Sequence, residues 1–311
     1  MSIVKVNLFG QLSVEYDGKV WHGPKENKAR ELFCYLMIHN TAKHNRESLA
    51  CLLWEENSTA QSKKYLRQTL WQLGAMCKEH MGNVYGQLFL VNPGWVQVNH
   101  EIGIWVDVTI FEQAFSRLLE IHDLDESSAR ALDEAIRLYN DHLLVNLYRD
   151  WCIEERDRLC KQYLAMLDKL AEYCEANHDY RAGVEYSARA LRYDPARERT
   201  HQQIMRMCYL AGDRTAAIRQ FNRCVEALKK ELNVDPTQNT LKLYEQIRAD
   251  HFTQSPTSSH PNLDVTETYA LVLNVLMQLK QLQNKLVDLQ GEVQKQIQVV
   301  ERAILRINKR S

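Results

Sequence analysis

Residues 138–144 (LYNDHLL), with Asp-Trp at 150–151 and Glu-Arg-Asp-Arg-Leu at 155–159, are the stretch that decides the fold of this chain. They lie inside a region from Phe111 to Ile247 in which the apolar residues follow an almost wholly helical pattern. Glycine and proline are scarce, at 11 and 6 of 311 residues, so few positions interrupt helices. The sequence therefore predicts a mainly α protein.

A 34-residue repeat runs through the second half of this helical region, and 34 residues is the length of a tetratricopeptide (TPR) unit. Proline removes a backbone donor and restricts its predecessor, so Asp-Pro at 194–195 and again at 235–236 is predicted to end a helix. We expect the helix pairs to stack into a TPR-like α-solenoid with a concave face. The matching residues are Asp179, Ala182, Val184 and Leu191 in the first unit and Asp213, Ala216, Ile218 and Val225 in the second.

The first hundred residues begin with short strands and then change to helices. Apolar and polar residues alternate over residues 3–21, where Asp17-Gly18 is a hairpin turn. The first helix places Leu32 and other apolar residues on one face. Asn45 can cap a second helix, which ends near Trp54.

A third helix and a hairpin complete this region. The helix is predicted to start at Ser58, with Ser58 and Gln61 as a capping box, and to run to about residue 79. The hairpin covers residues 88–98 and turns at Asn92-Pro93-Gly94. Strands, three helices and a terminal hairpin predict an OmpR-like winged helix-turn-helix (α/β) over residues 1–108, with the hairpin as its wing.

Three segments of this chain resemble one family of bacterial transcriptional activators, the antibiotic-regulatory or SARP type. Residues 138–159 closely resemble the opening of that family's helical activation domain. Gly94-Trp95-Val96-Gln97-Val98 is similar to its Gly-Tyr-x-Leu strand, and Val106-Asp107 with Phe111 to the Asp-x-x-x-Phe pattern before its helical domain. The resemblance covers roughly residues 3–250. It implies a winged helix-turn-helix, tandem binding to direct repeats near the promoter −35 element, and contacts with RNA polymerase and a sigma factor.

The third helix offers a candidate DNA-reading face. With Leu66 at the centre of its buried stripe, a mixture of basic, amide and aromatic residues falls on the other side, which suits a major groove. Leu66-Arg67 keeps a Leu-Arg pair common in the family, whereas Leu73-Gly74 lacks the second arginine. A solvated helix face is the alternative reading. The predicted DNA-binding residues are Lys63, Lys64, Arg67, Gln68, Trp71, Gln72 and Asn92.

A linker at residues 251–263 and a long amphipathic helix at 264–311 end the chain. Apolar residues recur every seven positions over six heptads, which predicts a coiled coil and a homo-oligomer. Gln283 and Gln290 interrupt the companion position, and an extra apolar row beside the seam leaves trimers, tetramers or a heteromeric partner open. The helix could instead fold back on its own solenoid. The predicted oligomerisation residues are Val272, Leu279, Leu286, Val293, Val300 and Ile307.

Composition excludes several classes of function. The net charge is −1, so any DNA contact must come from a local basic patch. The eight cysteines form no Cys-x-x-Cys pair and no metal-ligand spacing, so we expect reduced, buried thiols, no metal and no cofactor. The N-terminus does not resemble a signal peptide and no segment is apolar enough to span a membrane, which favours a cytoplasmic protein.

The sequence therefore predicts a transcriptional activator that binds double-stranded promoter DNA through residues 1–108. Residues 109–250 would contact RNA polymerase or another partner. The alternative is a TPR and coiled-coil interaction scaffold, or a ligand-responsive regulator, whose winged domain does not read DNA. An enzyme is not predicted, because the sequence has no Gly-rich phosphate loop and no Gly-x-Ser-x-Gly elbow.

Overall fold

The computed structural model describes residues 3–25, 27–82, 88–121 and 123–250. The predicted linker and coiled-coil helix, with all six oligomerisation positions, lie outside these residues. The strands are β1 (Val4–Asn7), β2 (Ser13–Tyr16), β3 (Lys19–Trp21), β4 (His44–Asn45), β5 (Phe89–Val91), β6 (Trp95–Val98) and β7 (Ile104–Val106). The helices are α1 (Asn27–Ile38), α2 (Arg46–Leu53), α3 (Thr59–Met81), α4 (Asp107–Glu120), α5 (Glu126–Ile136), α6 (Asp150–Ala176), α7 (Tyr180–Tyr193), α8 (Glu198–Leu210), α9 (Arg214–Glu231) and α10 (Gln238–Arg248).

The N-terminal sheet has the strand order β3-β2-β1-β7. Its first three strands are antiparallel neighbours, and the predicted hairpin turn at Asp17-Gly18 joins β2 and β3. Asp17 and Gly18 in the β2–β3 turn have φ values of 51° and 73°, the two positive φ values that a type I′ hairpin turn requires. The fourth strand is not predicted from the sequence. It runs parallel to β1, with Ile104 opposite Val4.

Helices α1 to α3 follow the predicted order, with one error at the start of α3. The Asn45 side chain accepts hydrogen bonds from the N–H groups of Glu47 (2.8 Å) and Ser48 (3.2 Å), so the predicted cap of α2 is confirmed. Ser58 is the N-cap of α3, but its side chain makes no capping hydrogen bond, and the predicted capping box is wrong. Ser58 is exposed, and its carbonyl accepts from both the N–H and the hydroxyl of Ser62 instead.

The predicted hairpin is confirmed as β5 and β6, and it belongs to a sheet of three strands in the order β4-β6-β5. The additional strand β4 immediately precedes α2, so this sheet is continuous with the start of that helix. The α2 and hairpin backbones also meet directly, because the Arg46 N–H donates to the Gly94 carbonyl at 3.1 Å. The hairpin is therefore held in place beside α2.

The 34-residue repeat is visible in the local geometry of α7 and α9. Asp179 and Asp213 are their N-caps, and each side chain accepts from the N–H three residues later, at 3.2 and 2.8 Å. The preceding residues, His178 and Gly212, both have positive φ, 62° and 83°. Two helix pairs thus begin with the same turn, 34 residues apart.

One predicted helix end and one predicted helical stretch need correction. α7 ends at Tyr193, directly before Asp194-Pro195, as predicted. In contrast, α9 ends at Glu231, and Leu232 already has a non-helical backbone, so Asp235-Pro236 lies in the connection to α10 and does not end α9. Residues 137–149 also contain no helix, although they lie within the region predicted to be almost wholly helical.

This non-helical segment joins the helical region to the N-terminal sheet. The N–H of Gly10 donates to the His142 carbonyl, and the N–H of Leu144 donates to the Leu8 carbonyl, both at 2.9 Å. Arg156 of α6 supports the segment from the other side through the carbonyls of Leu143 (2.9 Å), Leu144 (2.8 Å) and Leu147 (3.2 Å). The first and last parts of the stretch that decides the fold therefore bind each other.

All eight cysteines are free, but not all are buried as predicted. Cys51 is exposed on α2, and Cys160 and Cys208 are half-buried. The prediction was wrong for these positions because each helix has an outer side, and a small thiol there costs little. Within the described ranges, no helix is long and apolar enough to cross a membrane.

Candidate nucleic-acid interface

Helix α3 has two contrasting sides. Its predicted buried stripe is confirmed, since Ser62, Leu66, Leu70, Leu73 and Cys77 are all buried. These positions recur every three or four residues, as expected for one face of an α-helix. The helix is therefore anchored along one side and leaves a long opposite side open to solvent.

Four of the predicted DNA-binding residues lie together on that open side. Lys64, Arg67 and Gln68 are exposed, and Trp71 is 75% exposed. Among the described residues, neither Lys64 nor Arg67 forms an ion pair. Their positions, three or four residues apart, place them on successive turns of the helix. We define Lys64, Arg67, Gln68 and Trp71 as the α3 face.

The other three predicted residues lie differently. Lys63 forms an ion pair with Glu47 of α2 at 2.5 Å, which offsets its charge. Gln72 is half-buried at the edge of the helix. Asn92 is also half-buried in the hairpin turn, where its N–H donates to the Trp95 carbonyl at 2.9 Å. Lys63 and Gln72 are one helical turn from Arg67 and Gln68 and border the α3 face, whereas Asn92 lies on the hairpin.

Two basic residues that the sequence analysis missed lie beside the hairpin. The Lys43 ammonium is 5.3 Å from the centre of the Trp95 ring, a cation–π contact. The Arg46 guanidinium donates to the Asn92 carbonyl at 3.1 Å. Both residues flank the strand β4. Basic residues on either side of the predicted cap Asn45 are the feature of the sequence that could have identified them.

The charge balance of α3 favours an anionic partner. Helix α3 contains Lys63, Lys64, Arg67 and Lys78 against one acid, Glu79. Nearby, burial lowers the pKa of His44, while its ring N–H donates to the His39 carbonyl at 3.0 Å. His44 is therefore neutral at pH 7, and the positive charge comes from lysine and arginine.

Glu31 holds the helices of this region against the helical domain. It lies on α1, and its side chain is 2% exposed. Lys28 is 2.9 Å away and Arg149 3.3 Å away, and the Trp151 indole N–H donates to the carboxylate at 3.2 Å. Lys28 also donates to the Leu53 carbonyl at the end of α2. We call these residues around Glu31 the Glu31 cluster.

A second buried carboxylate joins the two regions near the N-terminal sheet. Asp107, the first residue of α4, accepts from the N–H groups of Leu8 (2.7 Å) and Phe9 (2.9 Å). Burial raises the pKa of Asp107 to about 6, although the hydrogen bonds from these N–H groups lower it in part. Beside them, the Phe9 ring centre is 5.2 Å from that of Phe111 and 4.7 Å from that of Tyr139.

The chemistry available at the α3 face is non-covalent recognition. Lysine and arginine bind phosphates, arginine and glutamine form paired hydrogen bonds with base edges, and an indole packs against apolar surface. Within the described part of the chain, no group of three or more His, Cys, Asp or Glu residues could hold a metal ion.

Comparison with known proteins identifies the helical part of the chain. The model of the bacterial transcriptional activator domain family matches residues 106–248. No curated protein matches the chain. Among solved structures, the chain is similar to Mycobacterium tuberculosis EmbR in complex with a low-affinity phosphopeptide, with a TM-score of 0.62 and 17% identity, covering 89% of this chain and 72% of EmbR. At that identity the similarity shows the fold alone. Residues 106–248 of this chain are a bacterial transcriptional activator domain, and the resemblance to SARP-type activators is thereby confirmed.

Proposed function

We propose that this protein is a sequence-specific DNA-binding transcriptional activator. In this proposal residues 1–108 are a winged helix-turn-helix, α3 enters the major groove, and the β5–β6 hairpin is the wing that follows the adjacent backbone. The bacterial transcriptional activator domain supports a role in transcription.

One observation carries the proposal: a helix that is fully anchored on one side presents Lys64, Arg67, Gln68 and Trp71 together on the other. Single exposed apolar side chains are ordinary on protein surfaces, so the argument depends on the grouping of the 75% exposed indole with two cations and an amide on one helix face. The combination of cations, an amide and an indole matches the phosphates, base edges and methyl groups of a major groove.

The test is DNA affinity as a function of salt concentration, for wild type and for the double variant Lys64→Ala/Arg67→Ala. Removing one cation that binds a phosphate reduces the slope of log K against log salt by about 0.9, so the slope should fall by about 2 if both side chains bind phosphates. Lys229→Ala/Lys230→Ala is the matched control, because it also removes two exposed cations, from the last turn of α9. An equal decrease in both double variants would indicate non-specific attraction and would contradict the assignment.

We further propose that residues 109–250 contact RNA polymerase and its sigma factor, and that residues 264–311 associate as a homo-oligomeric coiled coil. The seven-residue apolar spacing supports the second proposal. Light scattering of the full chain and of a chain lacking residues 264–311 tests it. Equal subunit numbers in the two samples would rule it out.

The alternative function is a protein-interaction scaffold or a ligand-responsive regulator whose winged domain does not bind DNA. A net charge of −1 for the whole chain is the observation in its favour. Selection of duplexes from a random DNA pool by the full chain separates the two, because a scaffold enriches no sequence.

A further inference from the structure

Trp71 is exceptional among the tryptophans of this chain. The other five, Trp21, Trp54, Trp95, Trp105 and Trp151, are half-buried, whereas Trp71 is 75% exposed. An indole left in water forgoes the burial that normally stabilises a tryptophan. Its position therefore does not serve the fold of the described chain, and a partner that covers the ring would recover this burial.

The neighbours of Trp71 on α3 define what can cover it. Arg67 and Gln68 lie one turn before it, and Gly74 and Ala75 lie one turn after it. A Cβ atom added at Gly74 would meet nothing within 4 Å, so the helix surface beyond the indole is open. A flat partner surface can therefore approach the ring closely on the side of Gly74 and Ala75. Arg67 and Gln68 extend toward the partner on the other side of the ring.

We propose that Trp71 reads thymine, by packing its indole against the 5-methyl group in the major groove. This inference rests on the proposed function. The thymine methyl is the apolar group that base pairs present in the major groove, and the remaining groups there are hydrogen-bond donors and acceptors. The indole N–H is only a donor, so the large apolar face of Trp71 has the thymine methyl as its natural partner.

The experiment replaces one thymine at a time by deoxyuridine in a duplex selected from a random pool. This change removes the methyl group and keeps the base pair. For wild type, one or two replacements should weaken binding about fourfold each, as expected for removal of one buried methyl-sized group. Trp71→Ala should bind the thymine and deoxyuridine duplexes equally, and Trp71→Phe, which keeps an apolar ring, should retain part of the difference.

Gln68→Ala is the matched control on the same face. It should bind both duplexes more weakly but keep the fourfold ratio, because deoxyuridine leaves the hydrogen-bonding edges of the pair unchanged. A wild type that ignores every deoxyuridine, or a Trp71→Ala variant that keeps the ratio, overturns the assignment of Trp71 and leaves DNA binding intact. If wild type selects no duplex at all, the proposed function fails as well.

Discussion

Replacing Glu31 by glutamine should destabilise the chain measurably although it changes only one terminal atom of the side chain. Glutamine keeps an oxygen that can accept the Trp151 N–H, but it removes the charge that faces Lys28 and Arg149. Removing one partner of a fully buried ion pair costs about 3–5 kcal/mol, whereas an exposed pair contributes about 0–1 kcal/mol.

The Glu31 cluster lies between these limits. The carboxylate is 2% exposed, but the Lys28 and Arg149 side chains are 32% and 48% exposed and can regain water when the charge is removed. We therefore expect Glu31→Gln to lower the free energy of unfolding by about 1–3 kcal/mol. Urea unfolding followed by circular dichroism at pH 7 measures this difference.

Glu126→Gln is the control, since Glu126 and its partner Arg130 are 72% and 76% exposed, and it should show no measurable change. A double-mutant cycle between Glu31→Gln and Arg149→Met should then give a coupling energy of about 1 kcal/mol. The reasoning would be refuted if Glu31→Gln unfolded at the wild-type urea concentration, or if the two changes were additive.

Four further changes test other parts of the structure. Gly74→Ala should stabilise α3 by about 1 kcal/mol in thermal or urea unfolding, because the new methyl meets nothing and alanine favours a helix; a decrease in stability would contradict this. Gly183→Ala should destabilise the chain, because its Cβ would lie 2.5 Å from the Met207 sulfur, and wild-type stability would show that Met207 moves freely. Burial raises the pKa of Asp107 to about 6, so the folded chain takes up a proton at higher pH than the unfolded chain does. Stability relative to Asp107→Asn should therefore rise by about 2 kcal/mol as pH falls from 7 to 4, and a pH-independent difference would exclude it. Gln68→Ala should change the base preference in a selection from random DNA more than the overall affinity, and identical profiles would mean that Gln68 reads no base.

The features predicted correctly from the sequence depend on neighbours in the chain. The buried stripe around Leu66 follows from helical periodicity, and the caps at Asn45 and Asp179 follow from a side chain and the N–H groups two or three residues later. The α3 face could be predicted for the same reason. The exposure of Trp71 then follows from its place opposite the stripe.

The features that were missed depend on contacts between distant residues. β7 is too short to have a pattern of its own and pairs with β1, whose residues lie 100 positions earlier in the chain. Residues 137–149 contain leucines at helical spacing, but Leu144 has a φ of 44°, which a leucine adopts only when its surroundings hold it there. The bonds from Leu8, Gly10 and Arg156 provide that support. No local pattern could place them.

The bonds that residues 8–10 make with Asp107 and with residues 142–145 have a consequence for the promoter. These bonds hold the activator domain in a fixed orientation relative to the first hundred residues. If α3 binds in the major groove, the side of the DNA that the activator domain faces is therefore fixed as well. B-DNA turns once in about 10 base pairs, and a site moved by about 5 would aim the domain away from its target. Transcription should therefore rise and fall with the distance between the binding site and the promoter, with the period of the double helix. A DNA-binding domain joined by a flexible linker would not show this periodicity.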